Sequence, residues 1–175
     1  MFCENGFHST SLDAVAEAAG YTKGAVYSNF ASKEDLFFSV YERHVERRTD
    51  EMRRITESAG SGRGALDELI ESADPANDGW IAVFFEFWAH VLRHPEHRER
   101  FADLHRRGLE PFVEVVRRIS DEGGGQPPLD PNALATVQLA LGTGLQLERL
   151  TRPDDVDRDL LRQAALLLGR LEEER

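Results

Sequence analysis

Apolar residues recur along most of this 175-residue chain at spacings of three and four positions, which is the period of an α-helix. Alternating runs of Val, Ile or Thr bounded by hairpin turns, which would indicate strands, are nearly absent. Glycine and proline interrupt the helical pattern at five places, near residue 20 and at 60–64, 74–75, 123–128 and 152–153. The pattern predicts an all-α protein in which a small N-terminal unit, residues 1–45, precedes a larger helical bundle, residues 46–175.

The N-terminal unit has the pattern of two short helices joined by a tight turn. Either Thr10 or Ser11 can cap the first helix, and Gly20 ends it. Thr22 can then cap a second helix over residues 23–29. Two helices joined by a turn of three to four residues that contains glycine are typical of the helix-turn-helix motif.

The charge of the chain complicates this interpretation. The formal net charge is -11, from 21 basic and 32 acidic residues, and taken alone it disfavours a nucleic-acid binder because phosphates require local positive charge. The distribution matters more than the total. The two lysines of the chain are Lys23 and Lys33, and residues 21–33 contain no acidic side chain. A phosphate backbone would therefore meet a locally basic segment.

Composition narrows the class of protein. Hydrophobic residues make up 41% of the chain and charged residues 30%, which is typical of a globular protein, and neither a membrane span nor a signal peptide is apparent. Cys3 is the single cysteine, which excludes an intramolecular disulfide and fits the reducing cytoplasm. Without a phosphate loop, a cofactor fingerprint or a nucleophile–base pair, we expect neither an enzyme nor a bound cofactor.

Residues 6–37, GFHSTSLDAVAEAAGYTKGAVYSNFASKEDLF, resemble the DNA-binding signature of the tetracycline-repressor (TetR) family of transcriptional regulators. The positions that agree with the signature are Ala16, Ala19, Gly20, Gly24, Tyr27, Phe30, Lys33 and Leu36. This resemblance implies a DNA-binding helix-turn-helix domain followed by a helical domain for effector binding and dimerisation.

The resemblance also implies which residues contact double-stranded DNA. The helix from Thr22 to Asn29 would enter the major groove, where Lys23 can donate to guanine O6 and N7. The groove-facing positions would be Lys23, Gly24, Ala25 and Ser28, and the phosphate contacts would be Thr10, Ser11, Tyr27, Asn29 and Lys33. The alternative for Tyr27 is a half-buried core residue whose hydroxyl reaches solvent.

One departure from the family concerns the first helix. Members of the family begin with a complete helix that packs on the helix-turn-helix pair, whereas only residues 1–5 precede Gly6 here. These residues suffice for the last turn of that helix, and if nothing precedes Met1, Leu12, Val15 and Val26 would lose part of their cover. The hypothesis that follows is that residues precede Met1 in the native protein.

In the larger domain, residues 79–93 hold five of the fifteen aromatic residues, so apolar side chains occupy nearly the whole circumference of the predicted helix. A following helix continues across Gly108 and is expected to kink at Pro111. Aromatic side chains facing a kinked helix can line an apolar ligand pocket. The candidate lining residues are Trp80, Phe84, Phe87, Trp88, Val91, Phe101, Leu104 and Phe112, and the alternative is a filled core.

Glu86, His90 and His94 stand at i, i+4 and i+8, on one face of the same helix. A carboxylate and two imidazoles so spaced can bind zinc, which defines a rival hypothesis of a small metal-binding protein or enzyme. The simpler interpretation is that His94 lies in the last helical turn, where a cation suits the helix dipole. We expect no metal on that basis.

The last two predicted helices, residues 132–150 and 154–173, each carry an apolar face that can seek a second subunit. In the TetR family this helix pair forms the dimer interface, and the resemblance implies the same here for Leu134, Val137, Leu141, Leu145, Leu160, Ala164, Leu167, Leu168 and Leu171. A two-fold dimer would set its reading helices about 34 Å apart on a pseudo-palindromic operator. The alternatives are intramolecular packing of both faces, or a dimeric scaffold that no longer binds DNA.

The leading hypothesis is thus a cytoplasmic, homodimeric repressor that a small, largely apolar effector releases from its operator.

Overall fold

The computed structural model describes residues 1–71, 78–123 and 129–157 together with Leu160, Gln163 and Ala164. Every regular element within these residues is helical, as the apolar spacing predicted. The α-helices are α1 Phe2–Ser9, α2 Leu12–Ala18, α3 Lys23–Asn29, α4 Lys33–Ser58, α5 Gly62–Glu71, α6 Asp78–Arg93, α7 Arg98–Gly123 and α8 Pro131–Thr151, and a 3-10 turn covers Pro95–His97. None of the described helices combines the length and the apolar character that crossing a membrane requires.

The chain forms two compact units, and each unit is built from separate stretches of sequence. The first unit comprises Met1–Arg47 and Pro75–His105, and the second comprises Arg48–Asp74 and Arg106–Arg175. These units differ from the linear division at residue 45 that the sequence suggested. The physical reason is that α6, although distant in sequence, packs against α1 inside the first unit.

Aromatic rings from three helices form the core of the first unit. Phe7 of α1, Phe37 of α4 and Phe87 of α6 are each fully buried. The ring centroid of Phe87 lies 4.2 Å from that of Phe37 and 4.9 Å from that of Phe7. Contacts at these separations stabilise a core beyond the area that they remove from water, so α1 is held firmly although it is short.

A smaller cluster holds the second and third helices together. Leu12 and Ala16 of α2 and Val26 of α3 are buried, and Phe30 and Leu36 pack against them. Leu12 is 6% exposed and Val26 is 7% exposed. The expected loss of cover at Leu12 and Val26 is therefore corrected, because Phe30 and Leu36 shield them.

The second unit has its own apolar core. Met52 of α4, Ala65 and Leu69 of α5 and Val115 of α7 are buried together. A neighbouring cluster joins Val113 and Val116 of α7 to Ala135 of α8. Helix α7 runs without interruption through Gly108 and Pro111, as the sequence predicted, and the kink at Pro111 stays a prediction.

The junction between α4 and α5 is capped at both helix ends by one pair of side chains from α7. Arg118 donates to the carbonyls of Thr56 and Ala59 at 2.6 and 2.9 Å, near the end of α4. Glu122 accepts from the backbone N–H of Gly62, where α5 begins, at 2.8 Å. A cation at a helix C-terminus and an anion at a helix N-terminus both complement the helix dipole. Arg118 and Glu122 therefore stabilise the end of α4 and the start of α5 from the same turn of α7.

Candidate DNA-binding site

The two short helices begin at the capping residues that the sequence offered. Ser11, rather than Thr10, caps α2, and its hydroxyl accepts from the backbone N–H of Ala14 at 3.2 Å. Thr22 caps α3, and its hydroxyl accepts from the N–H of Ala25 at 3.1 Å. Each cap satisfies a donor that the first helical turn leaves unpaired. The sequence-based bounds of α3 are confirmed.

The turn between these helices is a Schellman motif. The N–H of Gly20 donates to the Glu17 carbonyl at 3.1 Å, and the N–H of Tyr21 donates to the Ala16 carbonyl at 2.9 Å. Gly20 has a φ of 72°, a left-handed conformation that glycine adopts without steric cost. Ala16 is 1% exposed, and its small side chain permits the close crossing of the two helices.

Helix α3 presents almost its whole surface to solvent. Val26 is its buried residue, and the six others, from Lys23 to Asn29, are exposed. Tyr27 is 54% exposed and so has more free surface than a core residue. Six of the proposed DNA contacts, Lys23, Gly24, Ala25, Tyr27, Ser28 and Asn29, therefore lie together on one accessible helix.

Two polar side chains of α3 bind their own helix in the absence of DNA. The Ser28 hydroxyl donates to the Ala25 carbonyl at 2.9 Å, and the Asn29 side-chain amide donates to the same carbonyl at 2.8 Å. Each would have to rotate to donate to a base or a phosphate.

Lys23 forms an ion pair with Asp13 in the first turn of α2. The pKa of the Asp13 carboxyl lies below its ordinary value, chiefly because Lys23 donates a hydrogen bond to it, and the Tyr27 hydroxyl adds to this effect. The pKa of Lys23 is raised by the same hydrogen bond. The sequence does not reveal this pairing, since it depends on how the two helices cross.

Thr10 lies in a different place from the one that sequence analysis expected. It is 3% exposed, and its hydroxyl donates to the Gly6 carbonyl at 2.7 Å. A buried hydroxyl already bonded to the backbone is not presented to a phosphate. The predicted phosphate contact of Thr10 is therefore corrected, and its hydroxyl instead holds the end of α1, whereas Ser11 is exposed at the start of α2.

Lys33 is the first residue of α4, and it has partners within the protein. Its ammonium donates to the His8 carbonyl at 3.0 Å and lies 4.6 Å from the centre of the Phe7 ring. These contacts fasten the end of α1 to the start of α4. The phosphate contact at Lys33 stays a prediction.

Glu86 is occupied by the backbone of α1 rather than by a metal. Its carboxylate accepts from the N–H groups of Phe7 at 2.8 Å and His8 at 3.4 Å. Gly6, with a φ of 79°, leaves these donors unpaired by breaking the helical path of α1. Glu86 therefore acts as a cap for the last turn of α1.

His90 and His94 stack with ring centroids 4.1 Å apart, and His97 lies 5.9 Å from His90. Among the residues that the structure describes, no group of three His, Cys, Asp or Glu side chains is arranged to hold a metal ion. Neither arrangement supports the rival hypothesis of a metal site at Glu86, His90 and His94.

Seven of the eight candidate pocket residues belong to the aromatic core of the first unit or pack against it. They are Trp80, Phe84, Phe87, Trp88, Val91, Phe101 and Leu104. The aromatic rings among them are in contact with one another, as for Trp88 and Phe101, whose ring centroids lie 5.4 Å apart. Phe112 instead packs against the clusters of the second unit, because α7 contributes residues to both units.

A cleft of about 500 Å³ lies in the second unit between α4 and α7. Its lining residues are largely polar and are Thr49, Arg53, Thr56, Glu57, Glu110, Pro111, Glu114 and Arg118. The sequence does not predict this cleft, because the candidate pocket residues were aromatic positions and the cleft is lined largely by charged and polar ones.

The proposed dimer residues of α8 divide between two environments. Leu134 packs against the cluster that joins α7 and α8, so part of its surface is covered within the subunit. Val137 is 40% exposed, whereas Leu141 and Leu145 are half-buried. Beyond α8, Leu160 is 38% exposed and Ala164 is half-buried. Leu167, Leu168 and Leu171 lie outside the described residues.

Two family profiles match this chain. Residues 1–40 match bacterial regulatory proteins of the tetR family, and residues 60–168 match the C-terminal domain of BetI-type transcriptional repressors. The chain belongs to the TetR family. This membership confirms the resemblance carried by residues 6–37, and it makes the chain a transcriptional regulator.

Individual relatives agree with this assignment. The chain is 28% identical over 151 residues to the HTH-type transcriptional regulator YfiR of Bacillus subtilis, an alignment that covers 83% of this chain and 72% of that protein. It also shares the fold of FadR from Bacillus subtilis, solved in complex with stearoyl-CoA, with a TM-score of 0.70, 16% identity and coverage of 97% and 92% of the two chains.

A regulator from Saccharomonospora viridis, solved in complex with choline, has a TM-score of 0.73 and 22% identity, with coverage of 99% of this chain and 90% of that one. An acyl thioester and a small cation are chemically unlike each other. The shared fold therefore does not define an effector class.

Proposed function

We propose that this TetR-family regulator is a homodimeric repressor whose α3 reads a pseudo-palindromic operator. The observation that carries the proposal is the exposure of α3 at every position but Val26, on a helix pair whose turn is fixed by Gly20. Lys23 at the N-terminal end of α3 is the residue best suited to donate to guanine. Such a protein would act in the cytoplasm, where the chromosome lies.

Selection of bound duplexes from a random DNA library tests operator recognition. The wild-type protein should enrich one inverted repeat, and Lys23→Ala should relax the preference at one base pair of each half-site. Arg117→Ala is the matched control, because Arg117 is an exposed arginine of α7 in the second unit. Absence of any enriched sequence for the wild type would refute the proposal.

Dimerisation through α8 is part of the same proposal. Val137, one of the proposed interface residues of α8, offers exposed apolar surface. Val137→Glu should shift the protein from dimer to monomer in sedimentation velocity and abolish cooperative binding to the two half-sites. Thr136→Glu adds the same charge at the neighbouring exposed position and should leave the dimer intact. Equal effects of both variants would contradict an interface at Val137.

A small, largely apolar effector is proposed to release the repressor from DNA. The aromatic residues around Trp80, Phe84 and Trp88 support this proposal, since rings and aliphatic side chains favour apolar ligands. Trp80 and Trp88 are the two tryptophans of the chain, so a ligand at this cluster should alter their emission. A compound that releases DNA without changing this emission would instead point to the polar cleft between α4 and α7.

A further inference from the structure

Asp13 places a carboxylate beside the proposed DNA-reading helix. It lies in the first turn of α2, and Lys23, its ion-pair partner, is the first residue of α3. The side chains are 45% and 68% exposed, so both lie on accessible surface. We propose that Asp13 restrains Lys23 and thereby suppresses binding to DNA of arbitrary sequence. This inference rests on the proposed role of α3 in DNA reading.

The charge balance of the helix pair supports this role. Between Leu12 and Asn29 the chain carries one basic residue, Lys23, and two acidic residues, Asp13 and Glu17. Once Lys23 is paired with Asp13, the two helices offer a phosphate backbone no uncompensated positive charge. Binding to arbitrary DNA depends almost entirely on such charge, because it is driven by the release of counterions from phosphates. The ion pair therefore removes the main source of non-specific affinity from this surface.

An operator differs from an isolated phosphate in the acceptors that it presents to Lys23. A phosphate oxygen is one anionic acceptor that replaces another, the Asp13 carboxylate, so the exchange changes little. Guanine presents two acceptors, O6 and N7, side by side at the floor of the major groove. Phosphates of both strands flank that groove and add to the attraction. Lys23 therefore leaves Asp13 for the correct base pair more readily than for an isolated phosphate, and the ion pair sets a cost that every contact of Lys23 with DNA must exceed.

Asp13→Asn is the variant that tests this inference. It keeps the shape of the side chain and removes the charge. Binding is measured by fluorescence anisotropy between 50 and 200 mM salt, with an operator duplex and a scrambled duplex of equal length. For the scrambled duplex, the slope of log affinity against log salt should steepen by about 0.9 per subunit, which is about 3.5-fold per subunit across that range. Operator affinity should rise by at least the same factor, because Lys23 must also leave Asp13 to contact the operator.

Two further variants separate restraint of Lys23 from a general change of charge. In a Lys23→Ala background, Asp13→Asn should have no effect on the scrambled duplex, because the restrained group is absent. Glu17→Gln removes the same charge about one turn along α2 and should change non-specific affinity less. Persistence of the Asp13→Asn effect in the Lys23→Ala background would overturn the inference in favour of simple repulsion. Circular dichroism of each variant verifies that α2 remains folded.

Failure of this inference is distinguishable from failure of the proposed function. A wild-type protein that shows no preference for any duplex refutes DNA reading by α3 and the inference with it. A wild-type protein that prefers its operator, with an unchanged affinity for the scrambled duplex in Asp13→Asn, refutes the inference alone.

Discussion

The carboxylate of Glu86 accepts a hydrogen bond from the backbone N–H of Phe7 at 2.8 Å, although 79 positions separate the two residues. The contact joins the middle of α6 to the last turn of α1. Phe7 is also the residue whose ring contacts Phe37 and Phe87, so one position receives both a polar and an apolar anchor. A shift of α6 would therefore be felt directly at α1, next to the helix-turn-helix pair.

Replacement of Glu86 should measure the polar anchor. Glu86→Ala leaves the N–H of Phe7 without its acceptor and is expected to lower the free energy of unfolding by about 1–3 kcal/mol. Glu86→Gln keeps one carbonyl oxygen as an acceptor and should lose less. Urea unfolding gives both values, and hydrogen exchange should show faster exchange of the Phe7 amide in the alanine variant. Equal stability of wild type and Glu86→Ala would show that this cap contributes nothing.

Gly6→Ala should be more damaging than a substitution at the other left-handed glycine. Gly6 has a φ of 79° and a ψ of 168°, a region that costs other residues roughly 1–3 kcal/mol. A Cβ at this position would also lie 2.7 Å from a carboxylate oxygen of Glu86.

The matched control is Gly20→Ala. Gly20 has a φ of 72°, but a Cβ there meets nothing within 4 Å, so only backbone strain is added. Thermal unfolding of the two variants should place Gly6→Ala below Gly20→Ala. The reverse order would mean that Glu86 moves aside without cost.

Thr10→Val separates a structural role from a DNA contact. The substitution keeps the shape of the side chain but removes the hydroxyl that donates to the Gly6 carbonyl at 2.7 Å. Stability should fall by about 1 kcal/mol. Operator affinity, measured where the variant is fully folded, should stay unchanged because Thr10 is buried. A loss of affinity in the folded variant would restore the phosphate contact that sequence analysis expected.

Arg118→Lys tests the cap at the junction of α4 and α5. Arg118 donates through two different nitrogens to the carbonyls of Thr56 and Ala59, a forked geometry that a lysine ammonium does not reproduce. The free energy of unfolding should fall by roughly 1–2 kcal/mol in urea denaturation. Arg117→Lys, at the adjacent exposed position, should change it little. A similar loss in both variants would indicate a general dependence on arginine rather than on this cap.

Stability should decrease on mild acidification, in part through His105. Burial lowers the pKa of His105 below its ordinary value of 6.5. The unfolded chain therefore takes up a proton at a higher pH than the folded chain does. As the pH falls through 6.5 towards the folded pKa, the free energy of unfolding should drop, by at most about 1.4 kcal/mol per pH unit for this residue.

Urea unfolding at pH 7.5 and pH 5.5 provides the measurement. His105→Gln should show a smaller difference between the two pH values than the wild type. A wild-type difference retained in full by His105→Gln would assign the pH dependence to other groups, such as His90, whose pKa burial also lowers.

The helix-turn-helix pair could be predicted from the sequence because its signals are local. Caps at Ser11 and Thr22 lie within three residues of the donors that they satisfy. The turn at Gly20 is likewise local, since the N–H groups of Gly20 and Tyr21 bond carbonyls three and five positions back. Such features follow from residue type and spacing alone.

The features that the sequence did not predict depend on contacts between helices rather than on local signals. The pairing of Asp13 with Lys23, the cap from Glu86 to Phe7 and the burial of Thr10 all depend on how separate helices pack. Helical spacing along residues 101–119 was interpreted correctly as one helix, but spacing does not reveal which compact unit each turn joins. For this reason Phe112 was grouped with Phe101, although the two belong to different clusters.

The discontinuous first unit sets a rule for building chimeric regulators from this chain. Grafting residues 1–45 onto another regulator would leave Phe7 and Phe37 without Phe87, and Glu34 without His90 of α6. A graft that also carries residues 75–105 would retain the whole aromatic core. The portable recognition module of this protein is therefore two stretches of sequence, and an exchange that moves one without the other should yield an insoluble or inert hybrid.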